Sequence, residues 1–331
     1  MIWLTWRQFR AQTLVAAGAL AVLALAFAVT GPQLVHLYDT TVATCQAHHD
    51  CQIEINAFQS EDSFLQSLIR LVMLAAPALI GIFWGAPLIA HELEAGTQRL
   101  AWTQSVTRLR WLAVKLGLAG LASMAAAGLL SLMVTWWSSP FDRLGNRLDP
   151  TVFSQRGIVP VGYAAFAFAL GVTAGLLIRR TVPAMAATLA VFAAVLSGFA
   201  SRVRFHLIPP LHLTSPLNMS WVTETGIGGP AGPNSLLVAI TPNVPGAWIS
   251  SSQVTTAAGS TSLGPPPLGC GANSTYRACT AAIGRLHLRQ VLVYQPGSRF
   301  WALQWYETAI YLALALALAG FCVWWVRRRV S

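Results

Sequence analysis

Long apolar runs without Asp, Glu, Lys, Arg or His dominate the chain. Six of them are 19 to 22 residues long, and at about 1.5 Å per helical residue each can cross the roughly 30 Å hydrocarbon core of a bilayer. Because lipid offers the backbone no hydrogen-bond partner, each run is predicted to be a helix. The runs are Ala11–Pro32, Leu71–Ala90, Leu116–Trp137, Gly157–Ile178, Thr181–Ala200 and Thr308–Val326.

Composition supports the same class. Of the 331 residues, 55% are hydrophobic and only 10% are charged, with a mean hydropathy of +0.57. About a quarter of the residues are charged in a soluble domain, so a soluble enzyme, a disordered chain and a coiled coil are all excluded. The net charge of +10 is better explained by basic residues that flank membrane spans than by a nucleic-acid partner.

The distribution of basic residues predicts the orientation. With the N-terminus inside, the inner segments hold eleven Lys and Arg in about forty residues, whereas the outer segments hold ten in about 160. Both termini are therefore predicted to be cytoplasmic in a bacterial multi-pass plasma-membrane protein. A cleaved signal peptide is the alternative for the first run. The run is longer than the apolar core of about 7–15 residues that such peptides carry.

The segment between the fifth and sixth runs is long and rich in proline. It spans residues 202–304 and contains eleven of the eighteen prolines. Since long structureless loops are uncommon, an irregular extracytoplasmic subdomain is expected here, with short strands at Leu236–Ile240 and Gln290–Tyr294. The predicted fold is an all-α membrane protein with six transmembrane helices. Residues 1–201 hold helices one to five, and residues 305–331 hold the sixth helix and a basic cytoplasmic tail.

Four of the five cysteines are predicted to face the oxidising exterior. Cys45 and Cys51 lie in the first outer segment, and Cys270 and Cys279 in the last. Three pairings are open, and the two local pairs are preferred because each closes a short loop. A metal site that combines Cys45 and Cys51 with His48 and His49 is the alternative. Oxidised thiols do not bind zinc, so no metal is predicted.

Several chemistries are absent from the sequence. Lys115 is the only lysine and does not follow a glycine, so no phosphate-binding loop for ATP exists. No catalytic constellation and no cofactor site are recognised. The six runs contain no ionisable groups, and Arg70 and Glu307 are predicted to lie at the outer edges of spans, within reach of water. An ion-coupled secondary transporter is therefore disfavoured.

Two pairs of glycines could bring helices close together. They are Gly81 with Gly85 and Gly171 with Gly175, each four residues apart. Such pairs permit close helix approach. Packing within one chain is favoured over dimerisation through these glycines.

The segment His91–Lys115 is the one substantial loop on the inner side. It begins with Glu92 and Glu94, continues through Gly96 and Thr97, and then becomes amphipathic from Arg99. A solvated turn is the simpler interpretation. That interpretation does not explain why the inner turn at residues 179–180 is so much shorter.

The segment therefore has a pair of acids, then Gly-Thr, then an apolar residue three positions later, here Leu100. This pattern resembles the segment between the second and third spans of type-2 ABC exporter permeases of the actinobacterial type. The stretches Trp6–Gln8 and Tyr294–Trp301 are also similar to that family, as is the six-span layout. The resemblance implies that residues 91–115 form a coupling helix that docks on a separate ABC ATPase subunit.

The resemblance also assigns roles to particular residues. Glu92 and Glu94 would fix the docking helix or pair with basic residues of the ATPase, Gly96 and Thr97 would make the turn, and Arg99 would form a salt bridge there. The family implies a homodimer of permeases that exports an amphiphilic or apolar compound. The alternative is a non-transport envelope or sensor protein whose outer region is the working part.

Overall fold

The computed structural model describes residues 2–46, 52–60, 63–95, 107–227, 235–268, 270 and 275–329. Six helical segments within these residues are long and apolar enough to cross a membrane, which confirms the six predicted spans. In chain order, spans 1 to 6 are Arg10–Ala43, Ser63–Glu94, Leu109–Trp137, Val159–Ile178, Thr181–Arg202 and Gly297–Arg328.

Most spans extend beyond the uncharged runs of the sequence, because their helices continue through polar residues at their ends. The α-helices are α1 Ile2–Leu37, α2 Thr44–Gln46, α3 Gln52–Ser60, α4 Ser63–Leu79, α5 Ala86–Ala95, α6 Arg108–Trp137, α7 Ser139–Leu144, α8 Pro150–Phe153, α9 Val159–Ile178, α10 Thr181–Arg202, α11 Tyr276–Gly284 and α12 Phe300–Arg329. Two π-helical segments, Tyr38–Ala43 and Ile80–Gly85, lie within spans 1 and 2.

The chain forms two compact units. The helical unit comprises Met1–Gly145, Asp149–Arg204 and Trp301–Ser331, and the strand-bearing unit comprises Asn146–Leu148 and Phe205–Phe300. The sequence placed these boundaries at residues 202 and 304. All six spans except the first residues of span 6 belong to the helical unit.

Span 4 is the centre of the helical unit. In its most apolar stretch, 72% of residues are buried inside the protein, compared with 11% in span 1 and 17% in span 5. A helix that is apolar on every side is expected at the core of a bundle. Span 4 packs against both halves of span 2 and against spans 3 and 5.

The two glycine pairs meet each other in the contact between spans 2 and 4. A Cβ atom added to Gly171 would lie 2.3 Å from the carbonyl oxygen of Gly81, and one added to Gly175 would lie 2.5 Å from that of Ala86. A Cβ atom on Gly85 would come within 2.6 Å of the backbone of span 4. The glycines therefore serve packing within the chain, as the sequence analysis favoured.

Span 2 changes from α- to π-helix at Ile80–Gly85 and returns to α-helix at Ala86. Pro87 follows directly and has no backbone N–H to donate within the helix. The side chain of Gln12 in span 1 donates to the carbonyl oxygen of Phe83, in the π-helical segment, at 3.1 Å. Span 1 thus makes a hydrogen bond to the backbone of span 2 where that helix is irregular.

The strand-bearing unit contains five strands within the described residues: β1 Leu211–Pro216, β2 Val222–Ile227, β3 Leu236–Ile240, β4 Trp248–Thr255 and β5 Arg289–Gln295. They form an antiparallel three-stranded sheet of order β1-β5-β4 and a separate antiparallel pair, β2-β3. Both predicted strands are confirmed, as β3 and as the central part of β5. Their side chains contribute to a core that includes Val238, Ile283 and Leu292.

Candidate functional site

Spans 1, 3 and 5 begin at one end of the helical unit, and spans 2, 4 and 6 finish at that same end. This end is called the terminal end, because the first span begins there and the last span finishes there. Span 2 reaches this end with two glutamates on its last turn, Glu92 and Glu94. The helix continues through both of them to Ala95, and the next helix within the described residues begins at Arg108. The side chain of Thr107 caps that helix by accepting a hydrogen bond from the backbone N–H of Arg110 at 3.4 Å.

Glu92 forms a salt bridge with Lys115, the only lysine of the chain. Lys115 donates from Nζ to the Glu92 carboxylate, and the side chains are only 5% and 15% exposed, respectively. The ammonium group also lies 4.9 Å from the centre of the Trp111 ring, within cation–π range. Because a buried charge must be paired, this contact fixes the end of span 2 against the beginning of span 3.

Glu94 contacts a different helix. Its carboxylate accepts hydrogen bonds from the backbone N–H of Thr181 at 3.1 Å and from the Thr181 hydroxyl at 2.8 Å. Arg180, at the N-cap position of α10, provides no side-chain cap of its own. A carboxylate at a helix N-terminus both satisfies a free N–H and opposes the positive end of the helix dipole. Glu94 therefore caps span 5 from the end of span 2.

The two acids picked out in the sequence are thus both engaged inside the chain, and they join span 2 to spans 3 and 5. This arrangement, with Glu92 on Lys115 and Glu94 on Thr181, is called the glutamate junction below. Gly96, Thr97 and Arg99, the other residues assigned to the coupling loop, lie outside the described residues.

A second polar cluster lies at the opposite end of the helical unit and corrects one expectation from the sequence. Glu307 was expected to reach water at the edge of span 6, but its side chain is fully buried and paired with Arg204, which is 1% exposed. Arg204 donates from Nε and Nη2 to the two carboxylate oxygens, at 2.8 and 2.9 Å. The carboxylate can be buried because this bidentate pair neutralises it.

Two further groups complete this buried cluster. The hydroxyl of Tyr163 in span 4 donates to Glu307 and accepts from Arg204 Nη2 at 2.8 Å, and Arg204 Nη1 donates to the carbonyl oxygen of Pro150 at 3.0 Å. Burial by itself would lower the pKa of the Arg204 guanidinium, but its electrostatic interactions with Tyr163 and Glu307 raise that pKa above its ordinary value. Arg204 is therefore positively charged and holds the ends of spans 4, 5 and 6 together.

Gln304, one turn before Glu307, makes a similar connection. Its carbonyl oxygen accepts from the backbone N–H groups of Ile158 and Val159 at 3.0 and 3.1 Å, and its amide donates to the carbonyl oxygen of Phe153 at 3.1 Å. Span 6 thereby caps the first turn of span 4. Sequence reasoning missed Gln304 and Arg204. The available signal was the spacing of Gln304 and Glu307, which places two polar groups on one face of an apolar helix.

The cysteines assigned to disulfides have the following positions. Cys270 and Cys279 are joined by a disulfide, with both residues in the core of the strand-bearing unit. Cys45 is also disulfide-bonded, and Cys51 lies outside the described residues. Cys322 is a free thiol buried in span 6.

Of the alternative metal cluster, His48, His49 and Cys51 lie outside the described residues. Among the residues that the structure does describe, no three His, Cys, Asp or Glu side chains lie together as metal ligands would.

Comparison with known proteins identifies a family. Residues 17–204 match the sequence profile of the family described as "ABC-2 membrane transporter related". The match covers more than half of the chain, runs from within span 1 through span 5, includes the glutamate junction and ends at Arg204. No curated protein matches the chain significantly. No solved structure does so either.

Proposed function

The chain belongs to the ABC-2 membrane transporter related family, and we propose that it is the permease of an exporter powered by a separate ABC ATPase. The family and the six spans make it a multi-pass plasma-membrane protein and the transport component of an ABC system. The proposal adds that an amphiphilic or apolar compound is moved out of the cell. The predicted inner segments lie at the terminal end and contain eleven Lys and Arg. This supports a cytoplasmic location for the terminal end.

The observation that carries this proposal is the glutamate junction. An ATPase that pulls on residues 91–115 must transmit its movement to the spans, and a flexible turn would absorb that movement. Here the last turn of span 2 is held to span 3 through Lys115 and to span 5 through Thr181. A displacement of this turn therefore moves three spans together, as rigid-body switching requires.

The glycine contact extends this connection to the centre of the bundle. Spans 2 and 4 touch through backbone atoms at Gly81, Gly85 and Gly171, with no side chains between them that could yield. Close-packed backbones transmit displacement, because neither surface can be compressed. In the proposed exporter, spans 2 and 4 move as one body when the ATPase subunits close.

We infer that two copies of this permease work with two ATPase subunits. The glycine faces are already used inside the chain, so the contact between permeases uses other surfaces. Span 5, in which only 17% of the most apolar stretch is buried inside the chain, is the candidate for that contact.

The test uses purified permease, its cognate ATPase, and variants of the loop. Glu94→Lys removes the cap of span 5, which costs about 0.5–2 kcal/mol, and both Glu94→Lys and Gly96→Val should still reach the membrane. Like charges at a docking surface can cost several kcal/mol, so Glu94→Lys should lose co-purification with the ATPase and stimulated ATP hydrolysis. Gly96→Val should impair both as well, because a turn glycine adopts conformations that valine resists. Gln253→Ala, an exposed position in β4, is the control. Wild-type binding and stimulation in both loop variants would refute the coupling role.

Thr181→Val separates the two roles of Glu94. It removes the hydroxyl that donates to the carboxylate but leaves the charge of Glu94 in place. If Glu94 acts only by holding span 5, Thr181→Val and Glu94→Gln should reduce coupled ATP hydrolysis to a similar extent. If Glu94 also contacts the ATPase, Glu94→Gln should weaken ATPase binding while Thr181→Val does not.

A further inference from the structure

An open cleft of about 370 Å³ lies in the helical unit at the end opposite the terminal end, where span 1 passes the last turn of span 3. Trp136 and Trp137 form one wall, and Gly31, His36 and Asp39 of span 1 form the other. Ligand pockets in proteins have volumes of about 300–1,000 Å³, so the cleft can hold the head group of a small amphiphile.

The aromatic wall is fixed in position before any ligand arrives. Trp137 donates from Nε1 to the hydroxyl of Thr30 at 2.8 Å and stacks on Phe27, with ring centres 5.5 Å apart. The ring of Trp136 packs directly on Gly31, where an added Cβ atom would lie 3.0 Å from it. Trp136 is nevertheless 57% exposed, so it offers a held but accessible aromatic surface.

Among the residues that line the cleft, Asp39 is the acid, and no Lys or Arg is present. The carboxylate of Asp39 is 59% exposed, and its partner Arg143 lies at 4.0 Å, the outer limit of an ion pair. The guanidinium of Arg143 also lies over the Tyr38 ring, 5.2 Å from its centre, so Asp39 does not hold it alone. In the sequence, residues 33–66 contain five acids and no Lys or Arg. A carboxylate beside aromatic rings is the arrangement that binds organic cations.

From this geometry we propose that the cleft binds the cationic head group of an amphiphile, with its apolar tail along the exposed face of span 1 in the lipid. The cation contacts the carboxylate of Asp39 and the ring of Trp136, and it displaces Arg143 from Asp39. The inference rests on the proposed function, since it assigns a substrate class to the same permease.

The experiment measures binding to the full chain in phosphatidylcholine nanodiscs, with uptake by empty nanodiscs subtracted. The probes are dodecyltrimethylammonium, dodecyl sulfate and dodecyl maltoside, which share one tail and differ in head-group charge. The cationic probe should bind most tightly. Asp39→Asn and Trp136→Ala should each weaken its binding by roughly 2- to 30-fold, the range expected from exposed to desolvated cation–π contacts.

Matched controls keep the test specific. Glu54→Gln removes an exposed charge from the same acidic segment outside the cleft, and Trp305→Ala removes an exposed tryptophan from span 6. Neither should change binding. Arg143 and the cationic probe compete for the carboxylate of Asp39. Because Arg143→Gln removes this competition, the cationic probe should bind more tightly to this variant than to wild type.

Equal binding of the three probes would overturn the proposed site, as would full affinity in both Asp39→Asn and Trp136→Ala. Binding is measured without the ATPase, so the two proposals fail separately. If the cleft selects cations but the protein recruits no ATPase, the exporter proposal is refuted and the binding site stands. If the protein recruits an ATPase but the cleft does not select cations, the binding site is refuted and the exporter proposal stands.

Discussion

The buried pair of Arg204 and Glu307 gives the sharpest prediction about stability. Glu307→Leu leaves the guanidinium of Arg204 buried with no opposing charge, and Arg204→Met does the same to the carboxylate. Breaking a buried pair by removing one partner costs about 3–5 kcal/mol. The upper part of this range is expected, because two charged hydrogen bonds of 2.8 and 2.9 Å are involved and neither side chain reaches solvent.

The double variant decides whether the effect is due to pairing. Arg204→Met combined with Glu307→Leu removes both charges at once, and such replacements are often neutral or stabilising. The Tyr163 hydroxyl then loses its contacts with both side chains, at about 1–3 kcal/mol, whereas the carbonyl oxygen of Pro150 still accepts from the Ser154 hydroxyl at 2.8 Å. The double variant should therefore be at least as stable as either single variant.

The assay is reversible unfolding in bicelles by titration with sodium dodecyl sulfate, followed by the helical circular dichroism signal. Asp39 and Arg143 form the matched control pair, because their side chains are more than half exposed and 4.0 Å apart. Removing either one should change the free energy of unfolding by no more than about 1 kcal/mol. Simple addition of the two single effects in the Arg204/Glu307 double variant would show that the pair is not coupled and would refute the reasoning.

Three further predictions concern packing, the disulfide and topology. Gly171→Val should lower the free energy of unfolding by more than about 2 kcal/mol, because its Cβ would lie 2.3 Å from a backbone oxygen. Gly198→Val, where no atom lies within 4 Å of the added Cβ, is the control for the same unfolding assay, and equal losses would contradict the packing argument. Cys279→Ser should destabilise the strand-bearing unit by about 2–3 kcal/mol, since the disulfide closes a loop of only nine residues. Limited proteolysis should therefore cleave this unit faster in the variant than in wild type. An unchanged rate of cleavage would contradict the prediction. Reporter fusions should place residue 270 outside the cell and residue 100 inside, and an internal residue 270 would overturn the six-span orientation.

Features that depend on local pattern could be predicted from the sequence. The six spans follow from uncharged runs, β3 and the centre of β5 follow from short runs rich in β-branched residues, and the disulfide between Cys270 and Cys279 follows from their spacing. Packing of the glycine pairs within one chain was also favoured, because few other residues allow helix backbones to touch, whereas the contact of the two pairs with each other was found only in the structure. In each case the physical cause lies within a few residues of the chain or in one recurring packing motif.

Features that depend on distant pairing could not be predicted. Arg204 and Glu307 are 103 residues apart, and a sequence shows each charge but not the partner that allows its burial. Glu307 was therefore wrongly placed in contact with water. The same limit applies to Glu94 and Thr181, which are 87 residues apart. Lys115 stood out as the only lysine, but its pairing with Glu92 depends on how the ends of spans 2 and 3 meet.

The backbone contact between spans 2 and 4 limits what these two helices can do independently. At Gly81, Gly85 and Gly171 there is no room between them even for a methyl group, because an added Cβ atom would lie 2.3–2.7 Å from a backbone oxygen of the other span. A rotation of one helix against the other would drive backbone atoms together, and backbone atoms, unlike side chains, have no other rotamer to adopt. A change of conformation is therefore expected at helix contacts made through side chains, while spans 2 and 4 keep their relative position.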